Sequence, residues 1–149
     1  MMSKATLIIC FGCALSLLSC TNKAKGLTPG ERLQAEYKYD NLPESQKSQI
    51  KFMQHEHNFG KFNKDILQKV RFCFQNTGKS PLILHDVHSY CGCIEASFSK
   101  APIMPGKKGF ITITYNGKGT EGGSFNKEIV VNTNASNKYV SLFVKGENQ

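Results

Sequence analysis

Acidic residues are scarce in this 149-residue chain, where 11 Asp and Glu stand against 19 Lys and Arg. They do not cluster, so catalysis by a carboxylate pair has no footing. No Gly-x-Ser-x-Gly segment is present to form a hydrolase elbow. The pair His55 and Glu56 does not extend to H-E-x-x-H, because the second histidine would fall on Phe59. Gly78-Lys79-Ser80 resembles the end of a phosphate-binding loop, but that motif needs glycine where Cys73 stands. Tryptophan is absent, and no apolar run reaches the roughly 20 residues of a membrane-crossing helix. These gaps leave no catalytic constellation.

The composition describes a globular chain of one domain. Apolar residues make up 40% and charged residues 20%, a balance that suits a packed core rather than a disordered chain. Thirteen Gly and 5 Pro imply many turns. The formal charge of +8 is spread over lysines from Lys51 to Lys145. It forms no arginine patch interleaved with aromatics, so nucleic acid is not an expected partner.

At the N-terminus, Lys4 precedes an apolar run from Ala5 to Leu18 that fits the h-region of a secretory signal. The run ends Leu17-Leu18-Ser19-Cys20, which resembles a bacterial lipobox. The expected organisation is a lipoprotein signal peptide over 1–19, a lipidated Cys20 with a tether over 20–49, and a β-domain over 50–149. Acyl chains on Cys20 would anchor the chain, since each buried CH₂ contributes about 0.8 kcal/mol. Lys23 and Lys25, rather than an acidic run, follow that cysteine. In some Gram-negative lipoproteins such an acidic run directs export to the cell surface. A periplasm-facing site on the outer or inner membrane is therefore expected. Within the tether, Thr28-Pro29-Gly30-Glu31 reads as a capping box that opens a short helix through about Tyr39.

From Ile50 the periodicity is two. Val70, Phe72 and Phe74 alternate with Arg71, Cys73 and Gln75, and Ile111 and Ile113 alternate with Thr112 and Thr114. Strands are expected at 50–54, 70–75, 81–87, 94–98, 110–115, 125–133 and 139–144. Gly78 is expected to supply a positive φ in the turn after the second of these. About seven short strands without intervening helices argue for an antiparallel β-sandwich.

The order and spacing of several motifs resemble a family of small Gram-negative exported proteins and lipoproteins of unassigned function. They are Phe59-Gly60, Phe72 to Gly78 (FCFQNTG), Pro81-Leu82, Cys91-Gly92-Cys93, Pro102 to Gly106 (PIMPG) and Val131 to Asn134 (VNTN). The resemblance implies an immunoglobulin-like domain of the hydin or major-sperm-protein type. It implies no known catalytic residue to carry over, and no cofactor is expected. The absent tryptophan excludes the antibody-type Cys–Trp–Cys core.

Cys91-Gly92-Cys93 is the sharpest chemical feature, and it admits three readings. It forms a structural disulfide, within the pair or from Cys73 to one member; it holds reduced thiols packed at a strand end; or it is a redox or metal site. In an extended strand the two Cα atoms lie about 6.5–7 Å apart, at the limit for a bridge, so an internal bond needs a bend at Gly92, where a positive φ is expected. Cys73 falls on the outward phase of its strand. His85, His88, Cys91 and Cys93 form H-x-x-H-x-x-C-x-C, whose ligand types suit copper(I) or zinc. His85 and His88 face opposite sides of a regular strand, so that reading needs a break between them. The expectation is thus a membrane-anchored, non-enzymatic binding or adaptor module for a protein or envelope partner. The alternative is a thiol-based metal or redox protein.

Overall fold

The computed structural model describes residues 27–118 and 121–149. The signal segment and Cys20 lie outside the described residues. One α-helix, α1 (Pro29–Asp40), and a short 3-10 turn (Glu44–Gln46) precede eight strands: β1 (Ile50–Phe52), β2 (Glu56–Phe62), β3 (Gln68–Asn76), β4 (Leu84–His88), β5 (Ile94–Phe98), β6 (Lys108–Tyr115), β7 (Gly123–Thr133) and β8 (Tyr139–Asn148). They form two four-stranded sheets, ordered β1-β3-β6-β5 and β2-β8-β7-β4.

Alternation decides which face of each strand is buried. Val70, Phe72 and Phe74 of β3 point inward beside Ile111 and Ile113 of β6. Across the sandwich they meet Ile129 and Val131 of β7 and Leu142 and Val144 of β8. Burying a side chain of this size stabilises by about 1.5–3 kcal/mol, so this layer is the main source of fold stability. The β-sandwich expected from the pattern is the observed architecture, with two differences in detail. The first is an eighth strand, β2, and the second is that β2 pairs with β8 in parallel. Along β2 no residue is fully buried, with His57, Phe59 and Phe62 half-buried and the rest exposed, and the register shifts between Asn58 and Lys61, where Gly60 adopts φ 70°. A bulge that admits a left-handed glycine interrupts the period-two pattern that marks other strands.

Two glycine expectations are corrected. Neither Gly78 nor Gly92 has a positive φ. Gly78 is needed for close approach instead: a Cβ there would lie 2.4 Å from the Gln49 nitrogen and 2.5 Å from the Ser48 carbonyl carbon. A Cβ on Gly92 would meet nothing within 4 Å. Gly92→Ala is therefore expected to shift stability by less than about 0.5 kcal/mol, read from a urea melt. A larger loss would mean that the turn needs glycine for a reason other than space.

The capping box forms as the sequence implies. The Glu31 amide donates to Thr28 Oγ1, and Glu31 Oε2 accepts from the Thr28 amide at 2.9 Å and its hydroxyl at 2.7 Å. The Thr28 hydroxyl, and then its backbone N–H, hold the Glu31 carboxyl below its usual value of 4.5. A depressed carboxylate contributes above its ordinary pKa and loses that contribution as pH falls through the folded value, so the cap weakens in acid. No residue of α1 is buried.

The second half of the segment expected as a tether is integrated with the sandwich. Ser48 is fully buried, and its hydroxyl donates to Asn134 Oδ1 at 3.0 Å. Asn134 Oδ1 also accepts from the Ile83 amide at 2.8 Å, while its Nδ2 donates to the Pro81 carbonyl at 3.0 Å. Asn76 does the same work near the other turn. Its Nδ2 donates to the Ser80 and Ile103 carbonyls at 2.8 Å each, and its Oδ1 accepts from the Gly78 amide at 3.0 Å.

Candidate functional site

The flank where β4 closes one sheet and β5 closes the other gathers most of the chemistry-bearing residues found in the sequence. The two strands are in contact and are joined by the loop Ser89–Cys93. The loop bends through Gly92, and the Ile94 amide returns to the Cys91 carbonyl at 3.1 Å. That bend brings the Cα atoms of Cys91 and Cys93 to 5.1 Å, and their sulfurs are bonded to each other. The contraction below the extended-strand spacing is what makes an internal bridge feasible.

The two sulfurs have different surroundings. Cys93 is fully buried, and its carbonyl accepts from the Asn116 amide at 2.9 Å. Cys91 is half-buried, and the Cys93 amide donates to its Sγ at 3.3 Å. Beside Cys91 lies an open cleft of about 270 Å³ that also touches Ser89, Tyr90, Asn126, Lys127 and Glu128. Tyr90 is 90% exposed.

Cys73 is exposed and free on the outward face of β3, where it pairs with Phe110. Cys93 directly precedes Ile94, which pairs with Tyr115. Phe110 and Tyr115 are thus separated by about 17 Å along β6, and Cys73 points away from the core that holds Cys93. A bridge from Cys73 to either member of the pair is therefore not formed, for reasons of distance and facing.

The histidines do not join the cysteines. His88 Nδ1 contacts Asp86 Oδ2 at 2.6 Å, and its ring stands edge-on to Tyr90. His85 turns to α1, with Nε2 at 3.2 Å from Asp40 and Nδ1 at 3.6 Å from Glu36. Among the described residues no group of three or more His, Cys, Asp or Glu is arranged to hold a metal. The expected His85, His88, Cys91 and Cys93 set is not assembled, because both sulfurs are engaged with each other and the histidines have other partners. Zinc and copper(I) bind thiolates, not disulfide sulfur.

The polar stripe of α1 escaped the sequence reading. Arg32, Glu36 and Asp40 recur every four residues and so share one face. Arg32 donates to the Leu84 carbonyl at 2.6 Å and to the Lys100 carbonyl at 2.8 Å, while Glu36 holds its Nε at 2.7 Å. The helix thereby lies against the β4 edge, a position that shields strand carbonyls from pairing with another chain. Arg32→Ala should leave the sandwich melt within about 1 kcal/mol of wild type yet accelerate amide exchange through α1. Unchanged exchange would show that the helix is held by something other than this guanidinium.

A family profile described as "Protein of unknown function (DUF1573)" matches residues 50–148. No curated protein matches the chain in sequence. Among solved structures, a protein of unknown function from Porphyromonas gingivalis W83 is 20% identical with a TM-score of 0.63, covering 73% of this chain and 50% of that one. This chain therefore spans about half the length of that relative. The ASH/PapD-like domain 7 of human CEP192 is 11% identical with a TM-score of 0.58, covering 72% of this chain and 89% of that one. A secreted serine protease from Vibrio cholerae, VesC, is 12% identical with a TM-score of 0.51, over 70% of this chain and 24% of the protease. At these identities the likeness is one of fold: an immunoglobulin-like, PapD-like β-sandwich.

Proposed function

The chain belongs to the DUF1573 family of proteins of unknown function, and from that premise we propose that it is a membrane-anchored lipoprotein of the cell envelope whose sandwich is a non-enzymatic binding module. The anchoring half of this reading rests on the sequence around Cys20: a short apolar run, a small residue and then cysteine. Lys23 and Lys25 after that cysteine favour a periplasm-facing location. The lipid is then the membrane contact, and the partner is a protein or other envelope component.

The observation that carries the binding half is the state of β5. It pairs with β6 on one side and is the last strand of its sheet on the other. A terminal strand offers main-chain donors and acceptors to an added strand, a mode that needs no pocket and no catalytic group. Glu95 and Ser97 are exposed along it, while α1 reaches the β4 edge and the Lys100 carbonyl beyond β5.

Two measurements test the reading. Cys20→Ala should prevent acylation and move the protein from the membrane fraction to an uncleaved or soluble form. Normal acylation in that variant would overturn the anchor. A photo-crosslinker at Ser97 in intact cells should trap a defined partner, while one at Lys61, on β2 at the far end of the other sheet, should not. Identical adducts from both positions, or none from Ser97, would overturn the edge as the binding surface.

A further inference from the structure

We propose that the Cys91–Cys93 bridge is a dithiol–disulfide exchange site, acting on the cysteine pair of an exported protein, with Cys91 as the sulfur through which exchange enters. The inference does not depend on the binding role of β5; either can fail while the other stands.

Three independent features point to exchange rather than clamping. The bridge spans residues two apart in sequence. Constraint of the unfolded chain grows with loop length, so a ring this small restrains less than a bridge across a long loop does. The turn is held without it, by the Ile94 amide on the Cys91 carbonyl and the Asn116 amide on the Cys93 carbonyl. Second, access is one-sided. Cys93 is fully buried, while Cys91 borders the open cleft beside Tyr90 and Lys127. An incoming thiolate therefore meets Cys91 Sγ and not its neighbour. Third, the Cys93 N–H points at Cys91 Sγ from 3.3 Å. A donor aimed at sulfur stabilises the anion that sulfur becomes on reduction, while Lys127 and Glu128, which both line the cleft, offset one another in charge. An exposed, anion-stabilised thiol followed by a buried one is the division of labour that exchange requires.

The chemistry balances as follows. A thiolate of the partner's dithiol attacks Cys91 Sγ. The S–S bond breaks, its electron pair passes to Cys93 Sγ, and that sulfur takes up a proton. The partner's second thiolate then attacks its own sulfur in the mixed disulfide and releases Cys91 as thiolate. The partner dithiol is oxidised by two electrons, and the Cys91–Cys93 disulfide is reduced by two. The reverse sequence reduces a partner disulfide.

The test uses the full chain under native conditions and a reduced synthetic peptide carrying two cysteines. The tryptic fragment between Lys79 and Lys100 contains both cysteines and no other. Mass spectrometry of that fragment should show the bridge opening as the peptide becomes oxidised, one for one. Offered a one-cysteine peptide as its symmetrical disulfide, Cys93→Ser should capture it as a mixed disulfide on this fragment, releasing one peptide thiol, about tenfold faster than Cys91→Ser does. A bridge that stays closed in the folded protein under excess dithiol, and opens only in denaturant, would make it structural and overturn the proposal. So would equal capture by the two variants. The wild-type measurement decides the matter even if a variant does not fold.

Discussion

Asn134→Ala is expected to remove about 3–5 kcal/mol of stability, lowering the melting temperature by more than about 12 °C. The side chain is only 4% exposed and serves three segments at once. Its oxygen satisfies the Ile83 amide and the Ser48 hydroxyl, and its nitrogen satisfies the Pro81 carbonyl. Alanine leaves all three buried without a partner, and each unsatisfied group costs about 1–3 kcal/mol. Small domains are stable by only about 5–15 kcal/mol, so the variant should approach the threshold of folding. A urea melt that moves by less than about 1 kcal/mol would mean that water replaces the amide and that Asn134 is not the joint described here.

Gly78→Ala is expected to be comparably severe, by about 3 kcal/mol or more, through a different mechanism. The new methyl would land on backbone atoms of Ser48 and Gln49, which have no rotamer by which to move aside. Relief requires separating the turn from the incoming chain. That breaks the Thr77 amide to Gln49 carbonyl bond at 2.8 Å and the Lys79 amide to Lys47 carbonyl bond at 3.1 Å. Both substitutions loosen the same segment, so their combination should fall short of the sum of the single effects. Additive losses would show that the two contacts act on separate parts of the fold.

The strands that bury one whole face were legible. In β3, β6, β7 and β8 buried apolar residues recur at every second position, as in Val70, Phe72 and Phe74, and that spacing marks their inward faces even where β6, β7 and β8 also carry an apolar residue outward. β2 was not, because none of its residues is fully buried and the bulge at Gly60 breaks the alternation that His57 and Phe59 begin. The last four residues of β8 were missed for a related reason: Lys145 and Glu147 are paired to β2 through the backbone, which the side chains do not advertise. The helix was legible from Thr28, Pro29 and Glu31, because a capping box is a local device. Its docking was not, since the partners of Arg32 lie 52 and 68 residues away.

At the candidate site, the cysteine pair was visible and its internal bridge was one of several open readings. The left-handed glycine expected at position 92 was an error of mechanism. The chain reverses there with an ordinary φ, closed by a bond from the Ile94 amide. Asn76 and Asn134 stood inside motifs that carried the family resemblance, yet nothing in one sequence distinguishes a buried amide bridging three segments from a polar turn residue. Their role depends on where Ser80, Pro81 and Ile103 arrive after folding.

The manner in which α1 is held has a mechanical consequence. A pull on the chain from before Thr28 meets two joints of unequal strength. The first is a set of solvent-accessible polar contacts by a helix that buries nothing, and the second is the buried junction around Ser48. The first yields well before the second. The 12 residues of the helix then lengthen from about 1.5 Å to about 3.4 Å each, giving roughly 20 Å of slack before any strand is loaded. If the chain is anchored through Cys20 as proposed, the sandwich travels that far from the membrane, and returns, before the junction around Ser48 is loaded.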